Sequence, residues 1–353
     1  MRIILAAIAA TLLPAAASSQ SRVAPCTTAT AACEQWVTLG AGPARSMVYA
    51  NYKLNTPNAA VTRAFVLVHG TGRNADHYFE TAMAAAFLAG AIENTVVIAP
   101  HFVADTDKTQ PNEVLWPNRG DTWRSGGMST SHPALSAFDF MDEIVRTLAN
   151  KKLFPNLTQV VVAGHSAGGQ FVSRYEMANT VHGTLGVNIS YVVANPSSYA
   201  YPTALRPLPT GNADPASADK EALGANGMKW NTEFTFGPFD AAKAPTFNRW
   251  PQGLEGRTGY TAKMTDAQLT KQLVERPITY LLGQVDVLPL GGFDQSPQGM
   301  AQGPTRRARG EAFVKYIMDT LGAKPRAMIV SECGHNDRCV FTTDVVLPVV
   351  FPK

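Results

Sequence analysis

The sequence predicts an α/β protein built on a mostly parallel sheet with helices on both faces. From Val61 onward, short apolar runs rich in β-branched residues alternate with longer stretches of helical periodicity. The connections between runs are long enough for the right-handed crossovers that parallel strands require. The chain has 353 residues, 45% hydrophobic and 16% charged, which is enough apolar material for one large core and too little charge for a disordered polymer.

Strands are expected at Ala64–Val68, Thr95–Ala99, Gln159–Ala163, Ile189–Ala194, Ile278–Leu282 and Ala327–Ser331. Helices are expected over Ala75–Leu88, Ala134–Leu148, Gln170–Met177 and Thr305–Leu321. In the second of these, Leu135, Phe138, Met141, Asp142, Ile144 and Val145 form a mostly apolar stripe at helical spacing. Residues 19–60 are mixed and polar, and the alternation at Ser46–Ala50 reads as peripheral antiparallel strands at a sheet edge. Residues 196–275 interrupt the βα alternation. They are rich in Pro, Gly, Asn and Ala, yet they carry aromatics such as Tyr199, Tyr201, Trp230, Phe247 and Trp250. Linkers seldom hold so many rings, so a cap insertion over the carboxyl ends of the strands is expected.

The N-terminus reads as a signal peptide over residues 1–18. Arg2 supplies the positive region, Ile3 to Leu13 the apolar run, and Pro14 precedes the small residues Ala15-Ala16-Ala17-Ser18. That run is shorter than the ~20 residues a bilayer requires, and no membrane span is expected elsewhere. The mature domain, 19–353, is therefore expected to be secreted or periplasmic. All four cysteines, Cys26, Cys33, Cys333 and Cys339, lie beyond the cleavage site, and an even count in an exported chain implies disulfides. Proximity in sequence favours the local pairs Cys26–Cys33 and Cys333–Cys339. The formal charge of +3 is mild, and the densest basic cluster, Arg306-Arg307-Ala308-Arg309, reads as the solvated first turn of a helix. No nucleic-acid partner is expected, and the oligomeric state is not encoded in any recognisable pattern.

The strongest chemical signal is Val160-Val161-Val162-Ala163-Gly164-His165-Ser166-Ala167-Gly168-Gly169, a strand running into G-x-S-x-G and then a helix. A serine at such a turn sits in a strained conformation that exposes its hydroxyl, and the flanking glycines remove side chains that would clash. Ser166 is the candidate nucleophile. It needs a base and an acid that orients the base. Strand Tyr280–Leu282 runs into Gly283-Gln284-Val285-Asp286, which presents Asp286 as the acid, with Asp294 in reserve. The last strand runs into Glu332-Cys333-Gly334-His335-Asn336, which presents His335 as the base. An oxyanion hole is expected from the N–H groups of Ala167 and Thr71, the latter in His69-Gly70-Thr71-Gly72 after the first core strand, while His69 is expected to pack below that loop. Trp123 or Arg124, in the loop after the second strand, and Trp250, among the cap aromatics, are the candidate substrate contacts.

Together, HGTG, GHSAG, G-x-x-D and the late GHN resemble the α/β-hydrolase superfamily, from about Val61 to Val346. Gly72-Arg73-Asn74-Ala75-Asp76, Asn195-Pro196-Ser197-Ser198-Tyr199 and Asn248-Arg249-Trp250-Pro251 are similar to an exported, esterase-like branch of it. The resemblance implies a mixed sheet of about eight strands, a Ser-His-Asp triad at Ser166, His335 and Asp286, and no metal or organic cofactor. The expected activity is hydrolysis of a small-molecule or polymeric carboxylic ester through an acyl-enzyme. An amidase, peptidase or acyltransferase would use the same residues, and a binding protein on a silent fold would leave Ser166 unreactive.

Overall fold

A computed structural model describes residues 23–119, 122–209 and 234–352. The expected signal peptide and Trp230 lie outside the described residues. The strands are β1 (Glu34–Thr38), β2 (Arg45–Ala50), β3 (Arg63–Val68), β4 (Thr95–Pro100) and β5 (Gln159–His165), then β6 (Asn188–Ala194), β7 (Leu205–Pro209), β8 (Phe234–Pro238), β9 (Ile278–Gly283) and β10 (Arg326–Val330). The helices are α1 (Ala75–Leu88), α2 (Ala137–Ala149), α3 (Ala167–Ala178), α4 (Asp266–Glu275), α5 (Pro297–Met300), α6 (Arg306–Leu321), α7 (Asp337–Phe341) and α8 (Leu347–Val350).

Eight strands form one sheet in the order β1-β2-β4-β3-β5-β6-β9-β10, in which β1–β2 and β2–β4 are antiparallel and the remaining pairs parallel. The segment read as peripheral strands is therefore the antiparallel edge. The β-branched runs sit where both faces are covered: in β5, Val160 to His165 are buried. One face packs on α2, α3 and α6 through Phe138, Ile144, Phe171 and Phe313, and the other on α1, α7 and α8 through Phe65, Phe79, Phe341 and Val350. The connection from β3 returns on one side through β4 and on the other through β5. The carboxyl ends of β3 and β5 thus flank the crevice where sheets of this kind hold ligands.

Helix α1 begins and ends as expected, whereas α2 starts at Ala137 because Ser136 caps it, accepting from the Asp139 N–H while Asp139 reaches back to the Ser136 N–H. Asp142 in its stripe is buried with the apolar residues.

In the 196–275 segment, β7 and β8 pair as a separate antiparallel ribbon. Tyr199 and Tyr201 are not part of a separate layer: both are fully buried, stacked on or edge-packed against Phe313 of α6.

One expectation fails outright. The basic cluster at the start of α6 is not solvated: Arg306, Arg307 and Arg309 are 0%, 2% and 0% exposed. The first turn of α6 docks against the loops after β6 and β9, whose backbone carbonyls take the guanidinium protons. Arg307 donates to Gln284 O at 2.8 Å and to Glu311 at 3.0 Å, Arg309 donates to Gly303 O at 2.7 Å, and the Arg309 guanidinium lies 4.2 Å above the Phe293 ring.

Candidate active site

Ser166 sits between β5 and α3 with φ 58° and ψ −118°, a left-handed conformation unusual for a residue with a side chain. Its N–H donates to Ala194 O at 2.9 Å, which pins the turn to the end of β6. The turn closes only because its neighbours lack side chains. A Cβ on Gly164 would lie 2.2 Å from Gly168 O, and one on Gly168 would lie 2.2 Å from Val68 O.

The structure brings the three expected residues into one hydrogen-bonded series. His335 Nδ1 lies 2.8 Å from Asp286 Oδ2, and His335 Nε2 lies 2.9 Å from Ser166 Oγ. With the Nδ1–H directed at the carboxylate, Nε2 is the nitrogen that accepts from the serine hydroxyl. Asp294 stands elsewhere, its carboxylate accepting from the Ser296 N–H and the Gln252 side chain. Cys333–Cys339 is a disulfide whose two ends bracket His335, and Cys26–Cys33 is the other, the local pairs expected.

The loops that present these residues are laced together. Val285 N–H donates to Cys333 O at 3.0 Å, and Glu332 N–H donates to Gln284 Oε1 at 2.6 Å, so the acid and base loops hold each other. Asn195, at φ 45°, accepts from the Gly283 N–H at 2.7 Å and donates to Gly334 O at 3.1 Å, which joins the ends of β6 and β9 to the residue before His335. Arg306 is the residue sequence reading missed. Its Nη1 lies 3.6 Å from Asp286 Oδ1, its Nε donates to Ser197 Oγ at 2.8 Å, and its Nη2 donates to Leu290 O and Gly291 O at 2.6 and 2.9 Å. No local pattern marks it, because its partners come from the loops after β6 and β9.

Two more histidines shape the site from behind. His69 is fully buried, with Nδ1 2.8 Å from Gly70 O and Nε2 accepting from the Phe102 N–H at 3.0 Å. Burial, and then the neighbouring His101, lower its pKa to about 3, so it is a neutral prop under the loop that carries Thr71, in keeping with the packing role expected of it. His165 is bonded to Tyr78 Oη at 3.0 Å, and its ring centroid lies 4.6 Å from that of His335. Burial, then the charges of His335, Arg306 and His77, push His165 well below the ordinary imidazole value.

Gly70 faces the nucleophile: a Cβ built on it would lie 3.6 Å from Ser166 Cβ. Thr71 follows Gly70 in the chain, and the Ala167 N–H opens α3 directly after Ser166 and so lacks an intrahelical acceptor. Trp123 lies beneath this region rather than in it, 4% exposed, stacked on Phe102 at 4.9 Å and edge-on to His69 at 4.8 Å. Trp250 donates from Nε1 to Ser125 O at 3.0 Å and packs on the core. A cavity of about 420 Å³ is lined instead by their neighbours Thr122, Arg124 and Pro251, together with Thr71 and Gln170 on the Ser166 side. A larger cavity of about 830 Å³, lined by Trp36, Lys53 and Leu153, lies at the β1 edge among residues that make no contact with Ser166. Among the described residues no group of three His, Cys, Asp or Glu side chains gathers as a metal site, and no helix is long and apolar enough to cross a membrane.

This arrangement, a hydroxyl on a strained strand-to-helix turn with an imidazole and a carboxylate behind it, is set on a mostly parallel eight-stranded sheet. The sequence matches the Alpha/beta hydrolase family over residues 65–344, and the chain belongs to that family. Among solved structures it is similar to LpqC, a poly(3-hydroxybutyrate) depolymerase from Bordetella parapertussis, at 19% identity and TM-score 0.57, covering 88% of this chain and 84% of that one. It is also similar to poly(aspartic acid) hydrolase-1 from Sphingomonas sp. KT-1, at 20% identity and TM-score 0.52, covering 90% of this chain and 97% of that one. At those identities the likeness is one of fold. A comparison with curated proteins finds none that matches.

Proposed function

We propose that the protein is an exported serine hydrolase that cleaves a carboxylic ester through an acyl-enzyme, with Ser166 as nucleophile, His335 as general base and acid, and Asp286 as the group that orients His335. The observation that carries this reading is the unbroken series Asp286 Oδ2–His335–Ser166 Oγ, at 2.8 and 2.9 Å. A neutral hydroxyl attacks a carbonyl slowly, and an adjacent imidazole that takes its proton removes that obstacle.

In the first half-reaction His335 Nε2 accepts the Ser166 proton as Oγ bonds to the carbonyl carbon. The tetrahedral oxygen is held by the Ala167 and Thr71 N–H groups, and the helix N-terminus behind them adds to the same field. The imidazolium, stabilised by Asp286, then gives its proton to the departing alkoxide, and the acyl group stays on Oγ. In the second half-reaction water gives its proton to His335 while attacking the acyl carbon, and the acid leaves as Oγ recovers its proton.

Bridged cysteines at both ends of the domain accord with an oxidising compartment. The 196–275 segment is read as a cap over the site, because Ser197, Ser198, Pro251 and Gln252 line the cavity together with Gln170.

The test is labelling with a fluorophosphonate, read by intact mass, beside hydrolysis of 4-nitrophenyl esters. Wild type is expected to gain one adduct and Ser166→Ala none, with kcat lower by about 10⁴-fold or more. An adduct on Ser166→Ala, or an unreactive wild type, overturns the proposal.

A further inference from the structure

We propose that the cavity beside Ser166 is a binding site for a carboxylate carried on the ester, and that Arg124 is the residue that recognises it. This rests on the reading of Ser166 as nucleophile and adds a substrate class to it.

The cavity shares a wall with the backbone neighbours of Ser166, through Thr71 and Gln170. Gln170 stands one helical turn beyond Ser166, its N–H donating to Ser166 O at 3.0 Å, and Thr71 follows the glycine that faces Ser166 Cβ. Its lining is polar: among the described residues that line it, Pro251 and Phe293 carry the only hydrocarbon side chains. A long alkyl chain would strip water from hydroxyls, amides and charges there without replacing their hydrogen bonds. A short chain ending in a charged group would replace them.

The cavity holds two guanidinium groups, and they differ in what they have left to offer. Arg174 is fully buried and committed to the scaffold, donating to Pro251 O at 3.1 Å, Arg124 O at 3.3 Å and Ser198 Oγ at 3.1 Å. Arg124 uses only Nε, which donates to Thr122 Oγ1 at 3.1 Å, and its two terminal nitrogens meet no protein acceptor among the described residues. Those nitrogens form the planar fork that takes a carboxylate by two parallel hydrogen bonds. Desolvation lowers the Arg124 pKa while Asp294 opposes the fall, the state of a partly buried cation without a partner in contact. Asp294 acts on Arg124 only through space: among the described residues no hydrogen bond or ion pair joins them, and its carboxylate accepts from the Ser296 N–H and Gln252 Nε2 at 3.0 and 3.4 Å.

The test compares kcat/KM for three esters: mono-4-nitrophenyl glutarate, with the anion on the acyl side; 4-acetoxybenzoate, with the anion on the leaving group; and neutral 4-nitrophenyl butyrate. Wild type is expected to prefer one anionic ester, relative to its uncatalysed hydrolysis, by about 10- to 100-fold. Which one it prefers reports the side of the ester that enters the cavity. Arg124→Gln is expected to bring that preference to about unity and Arg124→Lys to retain part of it. A measurement without a variant accompanies these: glutarate is expected to inhibit butyrate-ester hydrolysis by wild type more strongly than pentanoate does. Equal rates on all three esters with Ser166 labelled, or an Arg124→Gln variant that loses the same factor on each, overturns this inference and leaves the proposed function standing. Failure of wild type both to take the fluorophosphonate and to cleave any ester overturns both.

Discussion

Replacing Arg306 by methionine should cost more than removing any surface charge. Methionine preserves much of the apolar stem and deletes the guanidinium. The deletion leaves Asp286, whose side chain is 1% exposed, without the cation 3.6 Å from Oδ1, and it removes the donor from Ser197 Oγ, Leu290 O and Gly291 O. Removing one partner of a buried charge pair costs about 3–5 kcal/mol, and the orphaned carbonyl acceptors overlap with that sum rather than adding to it. For a chain of this length, with an unfolding entropy of about 0.7 kcal/mol/K, that corresponds to a Tm lower by about 4–7 °C. The loop carrying Leu290 and Gly291 also abuts the site: a Cβ on Gly291 would lie 3.3 Å from His335 Cδ2. Loosening it should therefore lower kcat by about 10- to 100-fold, since misplacement by an ångström has effects of that size. Arg306→Lys restores the charge but not the spread of donors and should fall between. The assays are thermal unfolding by circular dichroism and kcat against KM on 4-nitrophenyl butyrate. A Tm within about 2 °C and a kcat within about twofold of wild type would refute the reasoning.

Asp142 should make stability fall as pH rises. Its pKa is raised from 3.8 to about 6, chiefly by burial, against the pull of hydrogen bonds from Tyr175 and Tyr260 at 2.7 and 2.8 Å. The folded state thus holds this proton more tightly than the unfolded chain, so the group's contribution is complete below pH ~4 and is lost by pH ~6, amounting to about 2–3 kcal/mol. Asp142→Asn should match wild type near pH 4 and exceed it at pH 7.5 in urea unfolding; parallel curves would exclude the effect. The Cys333–Cys339 bridge should matter more to activity than to stability, since a loop this short contributes about 2 kcal/mol by the chain-entropy account. With both cysteines changed to serine, kcat is expected to fall by about tenfold with a Tm loss of a few degrees; full activity with the bridge shown absent by mass would sink this idea.

Much of the site was legible from sequence because its chemistry is local. A strained turn between a strand and a helix needs Gly164 and Gly168 at fixed offsets from Ser166, and that requirement is written within a few residues. His335 and Asp286 were legible for a related reason: each follows a strand whose apolar run marks where the chain emerges at the sheet edge. The strand positions themselves follow from burial on both faces, which leaves β-branched residues as the economical choice. What sequence reading misplaced are residues defined by how irregular loops fold back on them. Arg306, Arg307 and Arg309 look like a solvated helix end, since no periodicity or turn signal announces that the preceding loop folds back to aim the carbonyls of Gln284, Leu290, Gly291 and Gly303 at them. The same holds for Trp123, whose ring turns into the Phe102 stack while its neighbours Thr122 and Arg124 line the cavity. Local periodicity and turn chemistry therefore determined the elements and the turns that carry Ser166, Asp286 and His335. Which polar groups lie buried, and which charge faces an open space, was decided only when separate loops and helices packed against one another, Ser197 meeting Arg306 across 109 residues of chain and Leu290 meeting it across 16, because a desolvated charge is tolerable only where the fold supplies its partners.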